Sequence, residues 1–453
     1  MIGAFLVTDL IGVINNIKKT MKSILNKADE PTRRQFMLNA ARAYLGVHLF
    51  PMLGPSIASA AAEGAAKGAK AKHVIYLFMS GGMSHIDTFD PKPKKKDVMG
   101  PTTAIPTKAD GIEIGSYLPK TAEVTDKMCI INSLNSTQGA HEQGSYIMHT
   151  SYSQRGTIKH PAIGSWVLKL GGRLHPELPG FVAVNTSPEH TSGGFFGAKY
   201  SAAPIGSPDQ GLQDSQRSDQ VSKEDFSRRL SLADKLNTQF HNRYPNADVK
   251  AYEELYREAI ALMDSKDLKA FHLGEEDSQT RALYGSGNFA QGCLLARRLV
   301  EHGVRFVEVQ LGGWDTHYDN FTAVEGRCKE FDQAYAALLI DLEKRGKLQD
   351  TLVVVATEFG RTPEIKKEHK DGRDHHPNAF SCVLAGGGVK GGIKYGETDA
   401  AGNKVKKDTV SVQDFNATIA YALGLPHDLV LMSPTKRPFK IADKGTPVTS
   451  IFG

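Results

Sequence analysis

The hexapeptide "GGWDTH", residues 312–317, sets Asp315 and His317 two positions apart, directly after a strand-like run. In extended backbone, residues two apart point to the same side, so both side chains can be aimed at one cation while Thr316 faces away. A turn-capping role would use the carboxylate but has no use for the imidazole.

Other loops hold the same residue types. "SGGMSHIDTFDPKP" carries Ser84, His85 and Asp87, "NSTQGAHEQGS" carries His141 and Glu142, "EFGRTP" carries Glu358 and Arg361, and "GRDHHPN" carries Asp374, His375 and His376. Taken singly each has a plainer reading, because an aspartate can cap a segment and a lone histidine is more often hydrogen-bonded than ligating. Together they form a dense set of metal-ligand types, and mixed imidazole and carboxylate suits zinc, manganese or iron rather than a calcium cage, zinc or manganese being the foremost expectation.

The elements that must position these loops are legible as apolar runs. "HVIYLFM" (73–79), "MCIINSL" (128–134), "FVAVN" (181–185), "VRFVEVQL" (304–311), "TLVVVAT" (351–357) and "FSCVLAG" (380–386) read as strands buried on both faces. Between them, "FAQGCLLARRLVEHG" (289–303) and "RCKEFDQAYAALLIDLEKRG" (327–346) repeat apolar residues at three and four, the helical period. Alternating strands and helices predict an α/β fold with a doubly wound, mostly parallel sheet. In such sheets ligands bind beyond the carboxyl ends of the strands. Four of the loops follow strands, and "GRDHHPN" precedes the last. The stretch 186–285, rich in Gly, Ser, Gln and Asp and then charged, reads as an insertion or cap.

"GSGNFA" (285–290) and "GGGVKG" (386–391) each lack half of the context of a dinucleotide-binding turn, so both are read as turns. Neither a Walker phosphate loop nor a G-x-S-x-G elbow is present in the sequence.

A chain of 453 residues, 40% hydrophobic and 23% charged, is long enough to bury a sizeable core. Near its start, Arg33, Arg34 and Phe36 precede a mildly apolar stretch that ends in Ala58, Ser59 and Ala60, the layout of a twin-arginine export signal with a cleavage site. Arg42 within that stretch argues against a stable membrane span. Residues 1–72 hold ten Lys/Arg against four Asp/Glu, a surplus of +6; removing it from the overall +5 leaves −1 for residues 73–453. The basic balance therefore belongs to the leader and linker and gives no argument for nucleic-acid binding. Cys129, Cys293, Cys328 and Cys382 lack C-x-x-C spacing and read mainly as buried free thiols.

In order along residues 73 to about 430, "HVIYLFMSGGMSHIDTFDPKP", "RRLVEHGVRFVEVQLGGWDTHYDNF", "VVVATEFGRTPEI", "GRDHHPNAFSCVLAGGGVKGG" and "VSVQDFNATIAYALGLP" resemble the domain-of-unknown-function 1501 family. Those exported bacterial proteins are usually placed with the alkaline phosphatase and sulfatase superfamily. The resemblance implies an alkaline-phosphatase-like sheet over residues 73–453 with a two-metal site at its rim. By analogy Asp315 and His317 correspond to ligands of the first metal, Glu358 to the carboxylate at the end of its strand, and His375 or His376 to the final histidine. Two departures stand out: "SGG" replaces a metal-binding aspartate after the first strand, and His141 and Glu142 occupy the neighbourhood of the nucleophile. Either the metal set is rearranged, with Asp87 and Asp374 making up the ligands, or the second metal is lost. Ser84 is the nucleophile candidate, His141 the general acid or base, and Arg361 the clamp for an anionic group.

The resulting expectation is a metallohydrolase of phosphate or sulfate esters, small or polymeric, working in the periplasm or outside the cell. Its rival is a sulfatase-like protein that binds anionic polymers without catalysis.

Overall fold

Strand β1, His73–Met79, is buried along its whole length, as an unbroken apolar run with helices on both sides should be. The structure, a computed structural model, describes residues 68–187, 190–213, 215, 220–243 and 258–453. The leader, with Arg33, Arg34 and Ala58 to Ala60, lies outside the described residues.

Around β1 the strands are β2 (Met128–Asn135), β3 (Phe181–Val184), β4 (Ala203–Ile205), β5 (Phe306–Leu311), β6 (Thr351–Ala356), β7 (Phe380–Gly386), β8 (Ile393–Tyr395) and β9 (Val410–Ser411). Among the described residues they make one nine-stranded sheet in the order β8-β2-β7-β6-β1-β5-β3-β4, with β9 also on β2. β1 pairs in parallel with β5 and β6, and β5 with β3. The exception is β7, antiparallel to both β2 and β6. The sheet is therefore mostly parallel, as the strand and helix alternation predicts. The stretch read as an insertion supplies the edge strand β4.

The helices are α1 (His141–Thr150), α2 (Ile163–Gly171), α3 (Lys223–Arg243), α4 (Asn288–Glu301), α5 (Asn320–Lys344) and α6 (Val412–Ala422), beside shorter turns. α4 packs on α5 and against β5 and β1, burying Leu294, Leu295 and Leu299 completely. Each such leucine contributes about 1.5–3 kcal/mol relative to exposure. On the same helix Arg297 is fully buried but paired, with Glu276 and Glu301 each at 2.7 Å and Asp341 at 2.9 Å, so its charge is compensated. Helix α3 belongs to a separate compact unit within 214–250, whereas the sheet and every candidate site residue belong to the other. Among the described residues no helix is long and apolar enough to cross a membrane. All four cysteines are buried and free.

Candidate metal centre

Parallel strands bring their carboxyl ends to one edge, so the loops after β1, β5 and β6 meet there. Antiparallel β7 delivers its amino end to the same edge, and with it His375 and His376. Close approach of these loops constrains the backbone at two glycines. Gly81, after β1, has φ +117°, and an added Cβ would lie 2.5 Å from the Asp315 amide nitrogen. At Gly372 a Cβ would stand 1.7 Å from the His317 carbonyl oxygen.

Four side chains converge at this edge: His141, Asp315, His317 and His375 offer ligand atoms that all lie within 4.8 Å of one another. Each imidazole is held from behind through Nδ1. The acceptors are Glu358 Oε1 for His141 at 2.9 Å, Asp374 Oδ1 for His317 at 2.9 Å and the Gly139 carbonyl for His375 at 2.7 Å. A carbonyl only accepts, so His375 carries its proton on Nδ1, and the carboxylates impose the same tautomer on the other two rings. All three Nε2 atoms then present lone pairs inward.

Those lone pairs face one another and a carboxylate. Nε2 of His317 is 2.9 Å from Nε2 of His375, while Asp315 Oδ1 lies 3.2 Å from His141 Nε2, 3.2 Å from His317 Nε2 and 3.5 Å from His375 Nε2. His141 Nε2 is buried without a hydrogen-bond partner among the described residues. Acceptors packed this closely repel unless a cation stands among them. Ligands at about 2.0–2.2 Å from one tetrahedral ion lie roughly 3.3–3.6 Å apart, and the separations of Asp315 Oδ1 from the three nitrogens, 3.2 to 3.5 Å, fall near that spacing. The donor set therefore fits a divalent metal.

The remaining expected residues lie elsewhere or behind this group. Glu358, expected as a ligand, is sealed beneath His141, where it also accepts the Gly81 N–H at 2.8 Å. Asp374 stands behind His317 and is ion-paired to Lys366. Both carboxylates orient imidazoles rather than joining the cluster. His376 points away and meets the Asn403 carbonyl at 2.8 Å, because neighbouring residues in a strand face opposite sides. Asp87 is fully buried against Arg373, 3.0 Å away, and cannot reach the cluster. Ser84 spends its hydroxyl proton on Asp87 at 2.6 Å and is 1% exposed, which does not suit a nucleophile.

Arg361 differs most from its expected role. It is completely buried, with its donors committed to the Gly81, Gly82 and Arg373 carbonyls and to Asp315 Oδ1 at 2.6 Å. An anion clamp needs free N–H groups, so this guanidinium instead fixes Asp315. Sequence reading missed Lys366 and the Gly139 carbonyl. A lysine eight residues before Asp374 carries no distinguishing spacing, and a carbonyl leaves no trace in residue type.

Local charges tune the groups. The hydrogen bond to Glu358 raises the His141 pKa above the ordinary imidazole value against the opposing effect of burial. Burial lowers that of His375. At Asp315 burial pushes upward, but the Arg361 contact and the neighbouring His141 and His317 take the carboxyl below its usual range.

Fold and site together define an α/β protein with an imidazole and carboxylate cluster at the carboxyl edge of its sheet. The chain belongs to the DUF1501 family, described as a protein of unknown function, which it matches over residues 71–452. No curated protein is a significant match to the sequence. Among solved structures it is similar to the lipoteichoic acid synthase LtaP from Listeria monocytogenes, at 10% identity and a TM-score of 0.36, covering 86% of this chain and 78% of that one. It is also similar to the PsFucS1 sulfatase from Pseudoalteromonas sp., at 13% identity and 0.36, covering 85% and 75%. A third likeness is to the C-terminal periplasmic domain of EcEptC from Escherichia coli in complex with Zn, at 9% identity and 0.38, covering 80% and 85%. Likenesses this distant carry no inference about activity.

Proposed function

We propose that this protein is a metal-dependent hydrolase of phosphate or sulfate esters. The observation that carries the reading is the orientation of the rings: three imidazoles have Nδ1 turned outward onto acceptors and Nε2 turned onto Asp315. The ordered motifs shared with a family placed among sulfatases and phosphatases support the substrate class.

Asp315, His317 and His375 would hold the metal, zinc or manganese. Bound there, the ion would supply a Lewis acid for an ester oxygen. A tetrad with all four positions filled by protein would suit a structural site, and catalysis requires an open position. His141 is therefore assigned to proton transfer. Its Nδ1–H stays on Glu358 while Nε2 takes a proton from the attacking water and returns it to the leaving ester oxygen. Arg361 keeps Asp315 ionised and fixed. The place of action is the periplasm or the outside of the cell, a reading that rests on the Arg33 and Arg34 leader.

A second reading, a sulfatase-like binding protein for anionic polymers, is favoured by the burial of Ser84 beneath Asp87. Turnover of a panel of phosphate and sulfate esters, with zinc or manganese added and then chelated, separates the two. Metal-dependent hydrolysis that disappears in His141→Ala supports the hydrolase. Stoichiometric metal binding without turnover of any ester leaves the binding protein.

A further inference from the structure

With Arg361 sealed, an anionic group of the substrate that does not meet the metal must find a cationic side chain elsewhere. A cavity of about 430 Å³ opens one residue along α1 from His141, lined by Glu142, Gln154, Arg155, Thr157, Lys159 and His190 among others. Its volume lies in the range of small-ligand sites. Arg155 and Lys159 are exposed, and neither side chain makes a hydrogen bond or ion pair with the described residues.

The wall that carries them is pinned. Gln154 donates to Glu142 Oε1 at 2.7 Å, Ile158 N–H closes a turn on the Arg155 carbonyl at 3.4 Å, and the Lys159 carbonyl accepts from Phe195 N–H at 2.9 Å. His160 N–H reaches the Tyr146 hydroxyl at 2.8 Å, returning the chain to α1. Two cationic side chains on a tethered turn differ from lysines scattered over a solvated face, because less freedom is lost when they grip a ligand. His190 is part of the same lining. Burial, with His149 stacked beneath, brings its pKa down to about 4, so the ring offers a neutral hydrogen-bonding group. Glu142, Gln154 and Thr157 add acceptors and donors of the kind that sort hydroxyl groups. Few aromatic faces are present for stacking a base.

We infer that this cavity is a subsite for the non-reacting part of the substrate, an ester-bearing saccharide or polyol with a second anionic group held by Arg155 and Lys159. The link to catalysis rests on the hydrolase reading, while binding in the cavity does not.

The probe is a trisulfated heparin disaccharide, with its unsulfated counterpart as control, titrated calorimetrically into the full protein at low salt. Wild type and His317→Ala should bind the sulfated sugar alike, and the double variant Arg155→Ala, Lys159→Ala should bind at least tenfold more weakly. Both positions are exposed, so melting temperature and metal content should stay at wild-type values in the double variant. Charge reversal, Arg155→Glu with Lys159→Glu, should abolish binding. Equal affinity in the double variant, loss of binding in His317→Ala alone, or no preference for the sulfated sugar would each overturn the subsite. Failure of the hydrolase reading would appear separately, as absent turnover with disaccharide binding intact.

Discussion

Asp87 and Asp315 follow strands β1 and β5 at the same sheet edge, and residue type alone makes both credible metal ligands. Their surroundings are opposite. Asp87 is 0% exposed and receives two N–H groups of Arg373 at 3.0 and 3.2 Å, the Ser84 hydroxyl at 2.6 Å, the Thr102 hydroxyl at 3.1 Å and the Asn320 amide at 3.0 Å. Its charge is matched and its oxygens are occupied by donors. Asp315 is about half exposed, with a side-chain accessibility of 48%, and apart from Arg361 its close neighbours are the Nε2 atoms of three imidazoles. A carboxylate whose oxygens are all taken by donors is a finished ion pair, whereas one that shares an oxygen between a guanidinium and three imidazoles still has room for a metal cation. Counting donors against acceptors separates the two where residue identity does not.

The largest test of that contrast is Asp87→Ala. It leaves the fully buried Arg373 guanidinium without a counter-charge, which should cost about 3–5 kcal/mol of stability in urea unfolding. Metal stoichiometry measured well below the melting point should stay at the wild-type value. A protein of unchanged stability that had lost metal would make Asp87 a ligand after all.

The sealed side also has a pH dependence. His85 is buried, with Nε2 2.8 Å from the Gly402 carbonyl and Nδ1 without a partner among the described residues, and burial with His376 nearby brings its pKa down to about 4. A depressed histidine contributes stability while neutral in both states, above an unfolded value of about 6.5, and loses it as pH falls toward the folded value. Between those limits the unfolded chain takes up a proton that the folded chain refuses. The loss through His85 should reach roughly 3 kcal/mol by pH 4. Comparing urea unfolding of wild type and His85→Gln at pH 7 and pH 4.5 checks it, since the variant should show a correspondingly smaller drop. Equal drops in the two proteins would remove His85 as the cause.

On the open side, His317→Ala should weaken metal affinity by well over 100-fold, about 2.7 kcal/mol or more. Without metal the variant should melt close to the wild-type apoprotein. With metal only the wild type should gain stability, because binding to the folded state alone stabilises by mass action. Wild-type stoichiometry in the variant would dissolve the cluster assignment.

What could be read in advance follows the strength of each signal. The six apolar runs of the sequence coincide with β1, β2, β3, β5, β6 and β7 to within two residues, because strands buried on both faces need continuous apolar composition. Short β4, β8 and β9, at most three residues long, leave no such run. The reversed direction of β7 is also invisible locally, since an antiparallel strand buried on both faces has the same composition as a parallel one. At the site, the D-T-H spacing brings Asp315 and His317 into one group, and "RDHH" brings His375. Which of the two adjacent histidines turns inward depends on the register of a two-residue ribbon in which His375 pairs with Arg361 and His376 with Gly360. The role of Arg361 is not legible in the sequence, because a guanidinium in a loop looks the same whether it grips a ligand or three carbonyls.

The finest distinction lies between a residue that binds the ion and one that holds the binder, and Asp374→Asn probes it. Asp374 Oδ1 takes the His317 Nδ1 proton at 2.9 Å, and Lys366 pairs with the other oxygen. The Lys366 hydrogen bond holds the Asp374 carboxyl below its usual range, so near neutral pH it is ionised and fixes the orientation of the His317 ring. Asparagine keeps an acceptor oxygen for the ring, and with it the ring's orientation, but loses the charge and the lysine's partner. A supporting residue altered in this way should weaken metal affinity by about 10- to 100-fold, roughly 1.4–2.7 kcal/mol, in a chelator competition titration. Stoichiometry at saturating metal should remain that of the wild type. A loss as large as that of His317→Ala would place Asp374 on the ion itself, and no loss at all would mean that Lys366 and Asp374 serve only the loop that carries them.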